Sequence, residues 1–504
     1  MRLSGPMRPA GPCASTLESM SAAVSTEGAG VPGIRPGNAS PAPAPEAVRG
    51  GVPLAIAAAA TAVYGLLGVQ QWRSFASRSW DLGIFSELAK AYSELRAPIV
   101  PIKGDGVNLL GDHFHPLLVL LGPVWAVWPS GLALLWTQAL LFGLSAIPLT
   151  RLAIDRLGPG LGTLAGLAYA FSFGLQSAAD VQFHEIAFAV PLMAFSLTAL
   201  LRGRIVPALV LAALLVFVKE DLGLTVAVLG AVVALRRREH RVHGAVLAAW
   251  GLGWFVLSTF VILPLLNTAG QYDYTGNLGS PLDVFFPADK WMTVGMLLLA
   301  AGVVGARSPL IWLMLPTLAW RFTGTVEFYW TWYWHYNAIL VPIALAALLD
   351  ALGDRRTGRA TAWLTADAPR PGGLVRTTAV AATAAVTLVL GSQMPIAALA
   401  RPDALAHSPR WDAAQAAVAA IPDGTVVASD ITLMAYLVPD HDVQWTHGPN
   451  TRVPDCVLVD QAAFSWSGNP PADPAQWAAD TYQVAYQPLL DENGFQVSCR
   501  TEAL

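Results

Sequence analysis

The sequence predicts a polytopic α-helical membrane protein that ends in a small soluble α/β domain. Three observations support this fold class. Hydrophobic residues make up 54% of the 504 residues and charged residues only 13%, whereas soluble domains contain about 25% charged residues. Apolar segments close to the roughly 20 residues that a membrane span needs recur between residues 51 and 394. Residues 395–504 instead contain charges, prolines and short β-like runs.

Composition also limits the classes of function. The net charge of −4 gives no indication of nucleic-acid binding, and three cysteines are too few for a cysteine-rich metal site. Residues 1–50 are rich in proline, glycine, alanine and serine without apolar periodicity, so we expect this segment to be disordered. It lacks the apolar core of a signal peptide, and we therefore expect the first apolar segment to remain as an anchor.

The transmembrane domain is expected to extend over 51–394 and to place the N-terminus in the cytoplasm. Arginines, which mark cytoplasmic loops, follow every second apolar segment, and this fits a cytoplasmic N-terminus only if one early segment does not cross. We interpret 114–128, which contains Pro116 and Pro123, as an interfacial or re-entrant helix; if it crosses, the N-terminus lies outside. The segments are 52–70, 114–128, 131–153, 160–178, 186–201, 204–218, 222–236, 244–265, 291–306, 308–321, 336–350 and 374–394.

This topology predicts a multi-pass protein of the plasma membrane with residues 395–504 outside the cytoplasm. It also makes 71–130 the first outer loop, with helices that lie along the membrane surface. Cys456 and Cys499 would then both be in a compartment that permits a disulfide. The β-like runs of the last domain are 425–428, 456–459 and 495–498, and helical patterns lie near 410–420 and 474–482.

The first outer loop contains the most informative polar residues. Asp81 begins an amphipathic helix, where an aspartate is also a common helix cap. His113 and His115 alternate, a spacing that suits a metal or phosphate ligand but also suits histidines that anchor a short interfacial helix. Neither pattern is specific by itself.

Other charged residues interrupt or follow the later apolar segments. A charge at membrane depth costs about 2.5–3.5 kcal/mol on insertion scales, so these residues are functional candidates, although solvated turns would also explain them. The aromatic run 328–336 fits an interfacial belt, but aromatic walls beside charges also hold sugars and isoprenoid chains. In the topology above, all the candidates lie on the outer face: Asp81, His113, His115, Asp180, His184, Glu185, Lys219, Glu220, Asp221, Glu327 and His335.

Five short motifs resemble an uncharacterised family of bacterial and archaeal membrane proteins, DUF2079, over roughly residues 60–460. That family in turn resembles the GT-C superfamily of lipid-linked glycosyltransferases, and the resemblance implies a GT-C-like transmembrane bundle. The motifs are 80–85, 113–116, Gln138-Ala139, His184-Glu185 and 219–221.

The GT-C resemblance implies an inverting enzyme that transfers a sugar from a polyprenyl phosphate to an extracytoplasmic acceptor. Asp81 resembles the acidic residue of the first outer loop and would act as general base, and Asp180 resembles a second acidic position. His115 and Lys219 resemble positions that contact the lipid phosphate and would stabilise it as it leaves.

The other candidates receive supporting roles under the same hypothesis. His184 and Glu185, together with His113, are expected to hold a divalent metal if the reaction uses one. The lipid bilayer and the polyprenyl-linked sugar are the expected partners. The remaining substrate-binding candidates are His113, Glu220, Asp221, Glu327 and His335.

Two other functions stay open from the sequence. A transporter or flippase would use the buried charges as substrate or proton sites, but it predicts inverted repeats and charges at mid-membrane. The sequence shows no internal repeat, and its charges lie at segment ends. A non-catalytic envelope assembly protein is the third hypothesis, since Leu82 follows Asp81 where GT-C enzymes usually have a second acid.

Overall fold

The computed structural model describes residues 46–76, 80–353, 371–391, 393–463 and 468–503. Residues 1–45 of the segment expected to be disordered lie outside this range, whereas 46–50 already belong to the first helix. The α-helices before the C-terminal domain are α1 (Glu46–Ser74), α2 (Asp81–Ser93), α3 (Leu121–Val127), α4 (Gly131–Leu157), α5 (Pro159–Ala170), α6 (Phe173–Asp180), α7 (Ile186–Leu201), α8 (Ile205–Ala213), α9 (Leu222–Arg236), α10 (Arg241–Leu257), α11 (Leu263–Leu266), α12 (Asp289–Ala300), α13 (Leu315–Thr323), α14 (Glu327–Trp330), α15 (Leu340–Leu352) and α16 (Gly373–Leu390).

Four helical segments in the described residues are long and apolar enough to cross a membrane: α1, α4, α16 and the stretch Arg238–Leu266 that contains α10 and α11. The segment Glu327–Asn337 with α15, bent by 68°, makes a fifth if it counts as one span. Several other predicted spans correspond to shorter apolar helices, among them α7 and α9.

Three predicted spans are not continuous helices. The predicted span 160–178 is divided between α5 and α6, because the chain leaves the helical path at 171–172. The predicted spans 291–306 and 308–321 become α12, two 3₁₀ turns and α13. Gly302 and Val303 interrupt this region with positive φ angles of 57° and 58°, which no α-helix accommodates.

The loop 71–130 returns to the end of the bundle from which it starts. The Trp72 ring near the end of α1 lies against Gly131 at the start of α4, whereas Arg49 and Asp155 pair at 2.7 Å at the opposite end. Between these contacts, Pro116–Val127 is a 3₁₀ turn followed by α3, about 20 Å long, and shorter than a hydrocarbon core of about 30 Å. This geometry agrees with the prediction that 114–128 does not cross the membrane.

Helices α9 and α10 pack through facing glycines. A β-carbon at Gly230 would lie 2.6 Å from the carbonyl oxygen of Gly244, and one at Gly251 would lie 2.4 Å from the carbonyl oxygen of Gly223. Both distances are far shorter than carbon–oxygen contact. Small residues therefore allow the two backbones to approach directly, as in other membrane helix pairs.

The Gly230→Leu substitution is expected to separate α9 from α10 and to lower the Tm of the purified protein in detergent. The matched control is Gly253→Leu on α10, where no atom lies within 4 Å of an added β-carbon. Equal melting temperatures for the two variants would show that the glycine contact is not required.

The elements of the C-terminal domain are α17 (Trp411–Ala419), β1 (Val426–Ser429), α18 (Met434–Leu437), β2 (Asp442–Trp445), β3 (Cys456–Asp460), α19 (Pro474–Tyr482), β4 (Tyr486–Glu492) and β5 (Phe495–Arg500). The strands form a five-stranded mixed sheet with order β2-β1-β3-β5-β4, in which β2, β1 and β3 are parallel and β5 is antiparallel to both neighbours. The three predicted strands and two predicted helices are present. Strands β2 and β4 and helix α18 were not predicted, and Cys456 and Cys499 form a disulfide across β3 and β5.

The C-terminal domain packs on α2 through a buried carboxyl group. One oxygen of Glu87 accepts the backbone N–H of Val443 in β2 at 3.0 Å, and the other accepts that of Ile102 at 3.1 Å. On the next turn, Lys90 donates to the carbonyl oxygens of Val438 and His441. The helix that begins at the candidate base is thus fixed by contacts from the C-terminal domain.

This contact is expected to depend on pH. Burial raises the pKa of Glu87 from 4.5 to about 8, although its two N–H bonds and Lys90 act in the opposite direction and Asp442 adds to the rise. Because the folded state holds this proton more tightly than the unfolded state, the stabilisation is complete below pH 4.5 and is lost as the pH rises through 8. We expect the wild-type Tm to fall over this interval and Glu87→Gln to show a flatter profile; parallel profiles would contradict this linkage.

Candidate active site

A cavity of about 180 Å³ lies at the start of α2. Its lining joins the loop 71–130, the turn before α7, the turn before α9 and the aromatic run 328–336, which are far apart in sequence. Their convergence places these polar groups at one end of the bundle. Seven of the predicted site residues line this Asp81 cavity: Asp81, His113, His115, His184, Glu185, Lys219 and His335.

Asp81 is the first residue of α2, and Trp80 is the N-cap, so the helix-cap interpretation of Asp81 was wrong. Its Oδ2 lies 3.3 Å from Nε2 of His184. The side chain of Asp81 keeps 28% of its surface exposed, against 3% for His184. Asp81 is therefore accessible to a substrate, whereas its partner His184 is buried.

His184 lies in the turn between α6 and α7, and its Nδ1 is 3.2 Å from the carbonyl oxygen of Gln182. Since a carbonyl oxygen only accepts, Nδ1 carries a proton in this contact. Burial acts to lower the pKa of His184, but Asp81 and Glu185 raise it above its ordinary value, which favours a protonated Nε2 as well. Gln138 of α4 fixes the turn by donating to the Gln182 carbonyl at 2.9 Å.

Histidines form a second part of the lining. The alternation of 113–115 directs His113 and His115 to the cavity, while Phe114 stacks on Trp254 of α10 with ring centroids 5.6 Å apart. His335 stacks on the His184 ring at 3.8 Å. The Nδ1 atoms of His115 and His335 are buried and have no hydrogen-bond partner in the described part of the chain.

Three further acid–base pairs surround the cavity. Lys219 binds Glu185 at 2.7 Å, the ring of His113 binds Glu220 at 2.8 Å, and Lys103 binds Asp112 at 3.2 Å. Burial acts to raise the pKa of Asp112, but Lys103 and His113 hold it below its ordinary value. The charges are thus arranged in neighbouring pairs of opposite sign.

The model of one family, described as predicted membrane protein (DUF2079), matches residues 71–497, which includes the cavity and the C-terminal domain. The chain belongs to this family. The resemblance noted in the sequence is thereby confirmed, and a search of curated proteins gives no match.

Among solved structures, the fold of this DUF2079 protein is similar to that of ArnT from Cupriavidus metallidurans, crystallised with undecaprenyl phosphate. The TM-score is 0.54 at 12% sequence identity, and the match covers 88% of this chain and 97% of ArnT. At that identity the likeness concerns the fold alone, and it confirms the predicted helical fold, which is ArnT-like and carries a small C-terminal α/β domain.

The predicted metal role of His184 and Glu185 stays a prediction. Glu185 directs an oxygen to the Lys219 ammonium, and His184 directs one nitrogen to a carbonyl and the other to Asp81. No group of three or more His, Cys, Asp or Glu side chains in the described ranges has an arrangement suited to a metal ion.

Four predicted site residues of the DUF2079 chain do not line the Asp81 cavity. Asp180 ends α6 and lines a neighbouring cavity instead, so its predicted role as a second catalytic acid stays a prediction. Glu327 is exposed at the start of α14, and Asp221 accepts the indole N–H of Trp320 at 2.9 Å. Glu220 lies behind His113 and positions it, because its second oxygen accepts the backbone N–H of Phe114.

Several lining residues were not predicted. Lys103 follows Pro101 in a 3₁₀ turn and lies 5.3 Å from the centre of the Trp80 ring. Tyr274 stacks on His113 at 4.5 Å and donates its hydroxyl to Asp112. Tyr274 lies two residues after Tyr272, the same alternation that identified His113 and His115.

Proposed function

We propose that this protein is a membrane glycosyltransferase that moves a sugar from a polyprenyl phosphate to an acceptor outside the cytoplasm. The observation that carries the proposal is the partly exposed carboxylate of Asp81 in a cavity otherwise lined by less exposed ion pairs, histidines and aromatic rings. The GT-C-like fold and the undecaprenyl phosphate bound to the similar ArnT chain support it.

In this mechanism Asp81 is the general base. The acceptor oxygen attacks the anomeric carbon of the sugar, the bond from that carbon to the phosphate oxygen breaks, and Asp81 takes the acceptor proton. The products are an inverted glycoside and a free polyprenyl phosphate. His184, with both nitrogens engaged, keeps the Asp81 carboxylate ionised and oriented until the proton arrives.

The leaving phosphate requires donors and cations at the cavity. His115 has a buried nitrogen with no hydrogen-bond partner among the described residues, and Lys103 and Lys219 bring ammonium groups to the lining. Preorganised donors of this kind stabilise the charge that develops as the phosphate leaves. Lys103, with 21% of its side chain exposed against 11% for Lys219, is the more accessible cation.

Transfer is tested with the purified protein in proteoliposomes and polyprenyl-phosphate donors labelled in the sugar. Mannose, glucose and arabinose donors are each incubated with a membrane-glycan extract as acceptor. We expect label to move from the lipid to the acceptor fraction for one donor. Label that crosses the bilayer still attached to lipid would support the flippase hypothesis, and label that neither moves nor crosses would support an assembly role.

A further inference from the structure

A second cavity, of about 640 Å³, adjoins the first and takes no part in the mechanism above. Trp334 lines both cavities and therefore lies between them. The volume lies within the range of about 300–1,000 Å³ in which proteins bind small molecules. Its lining includes Asp180, Trp332, Tyr333, Trp334, Gln393 and Arg401.

The aromatic side of this second cavity is held in a fixed conformation. Trp334 has a φ angle of 103°, a strained value for a residue with a side chain, and such strain is characteristic of functional sites. The fully buried Arg321 donates to the carbonyl oxygen of Thr331 and to the side chain of Asn337, one on each side of the strained residue. Phe328 stacks on Trp334 at 5.1 Å.

The polar groups indicate the chemistry of the ligand. Asp180 and Arg401 contribute one charge of each sign, so the lining does not select a phosphate or another strong anion. Carboxylate, guanidinium, amide and hydroxyl groups together both donate and accept hydrogen bonds, as a ligand rich in hydroxyls requires. Aromatic faces beside such groups suit the apolar C–H face of a sugar ring.

We propose that the second cavity binds a saccharide, which is the acceptor of the transfer reaction. Trp332 and Trp334 form the stacking surface, and Asp180 and Arg401 bind ring hydroxyls. One hydroxyl then extends past Trp334 into the Asp81 cavity. The acceptor role rests on the proposed function, whereas saccharide binding itself does not.

Binding is tested with the full chain in nanodiscs on an array of bacterial cell-envelope saccharides. We expect at least one saccharide class to be retained, Trp332→Ala to weaken that binding by about tenfold or more, and Trp332→Phe to keep most of it. Arg401→Gln, at an exposed position, is expected to weaken binding with an unchanged Tm. Retention no greater than that of empty nanodiscs, or equal binding by wild type, Trp332→Ala and Arg401→Gln, would overturn the proposal.

Asp81→Asn separates this proposal from the proposed function. The variant is expected to keep most of the saccharide binding, because the stacking surface and the groups that bind the ring hydroxyls lie in the second cavity, which Asp81 does not line. Saccharide binding without any cleavage of lipid-linked donors would refute the transferase and keep the saccharide site. Transfer without saccharide binding would refute the saccharide site and keep the transferase.

Discussion

Replacement of Asp81 by asparagine is expected to lower the rate of sugar transfer by at least about 100-fold, since a positioned general base typically contributes 10²–10⁴-fold. Asparagine keeps the size of the side chain but accepts no proton from the acceptor hydroxyl. The change should appear in kcat and leave donor binding nearly unchanged, because the base acts on the acceptor. The measurement is initial-rate kinetics in proteoliposomes.

The matched control for this prediction is Glu94→Gln. Glu94 caps the other end of α2, is exposed and pairs with the neighbouring Arg96. The Glu94→Gln substitution therefore removes a charge from the same helix but away from the cavity. We expect wild-type transfer from this variant. Equal rates for Asp81→Asn and Glu94→Gln would remove Asp81 from the mechanism.

The second large effect is expected from Lys219→Met. Lys219 and Glu185 form a buried pair, and removing one partner of such a pair costs about 3–5 kcal/mol because the other charge is left without compensation. We expect a lower Tm in detergent for the single variant. The double variant Glu185→Gln with Lys219→Met should regain most of the loss, since neither partner of this pair is then left as an uncompensated charge.

An exposed ion pair provides the comparison for this experiment. Arg96 and Glu94 keep 56% and 44% of their side chains exposed, and such pairs contribute about 0–1 kcal/mol. Arg96→Met should therefore leave the Tm nearly unchanged. A Tm for Lys219→Met as high as that for Arg96→Met would show that the Glu185 carboxylate is solvated or protonated rather than buried as an ion.

The convergence of seven of the eleven candidate residues could be predicted from the sequence, because they follow or precede apolar segments on one face. The ion pairs that these residues form with one another could not be predicted. Which acid meets Lys219 depends on how the turns before α7 and α9 pack, and Asp180 is one helix end away from His184 yet faces another cavity. Lys103 was missed because a single lysine in a long loop has no pattern.

The same limit applies to the fold. The helices with long uninterrupted apolar runs, such as α1 and α4, were predicted closely, whereas the breaks near Gly302 and at 171–172 depend on local backbone angles that hydropathy does not report. Strand β4 was missed because its residues are mostly exposed and include Pro488, so it lacks the apolar alternation of a strand.

The contacts of Glu87 connect the Asp81 cavity with the C-terminal domain. The carboxyl group joins α2 to β2, and α2 presents Asp81 to the cavity. The domain thus serves as a support for the catalytic helix in the proposed mechanism. A cavity built on such supported elements keeps its geometry better than one built on loops alone.

The most direct measurement of the central claim is an experimental structure of the protein with a bound polyprenyl phosphate. We predict that the phosphate lies within about 3 Å of His115 and of Lys103 or Lys219, with Asp81 facing the position of the sugar. A phosphate bound outside the Asp81 cavity, with these side chains still paired only to one another, would contradict the proposed transferase.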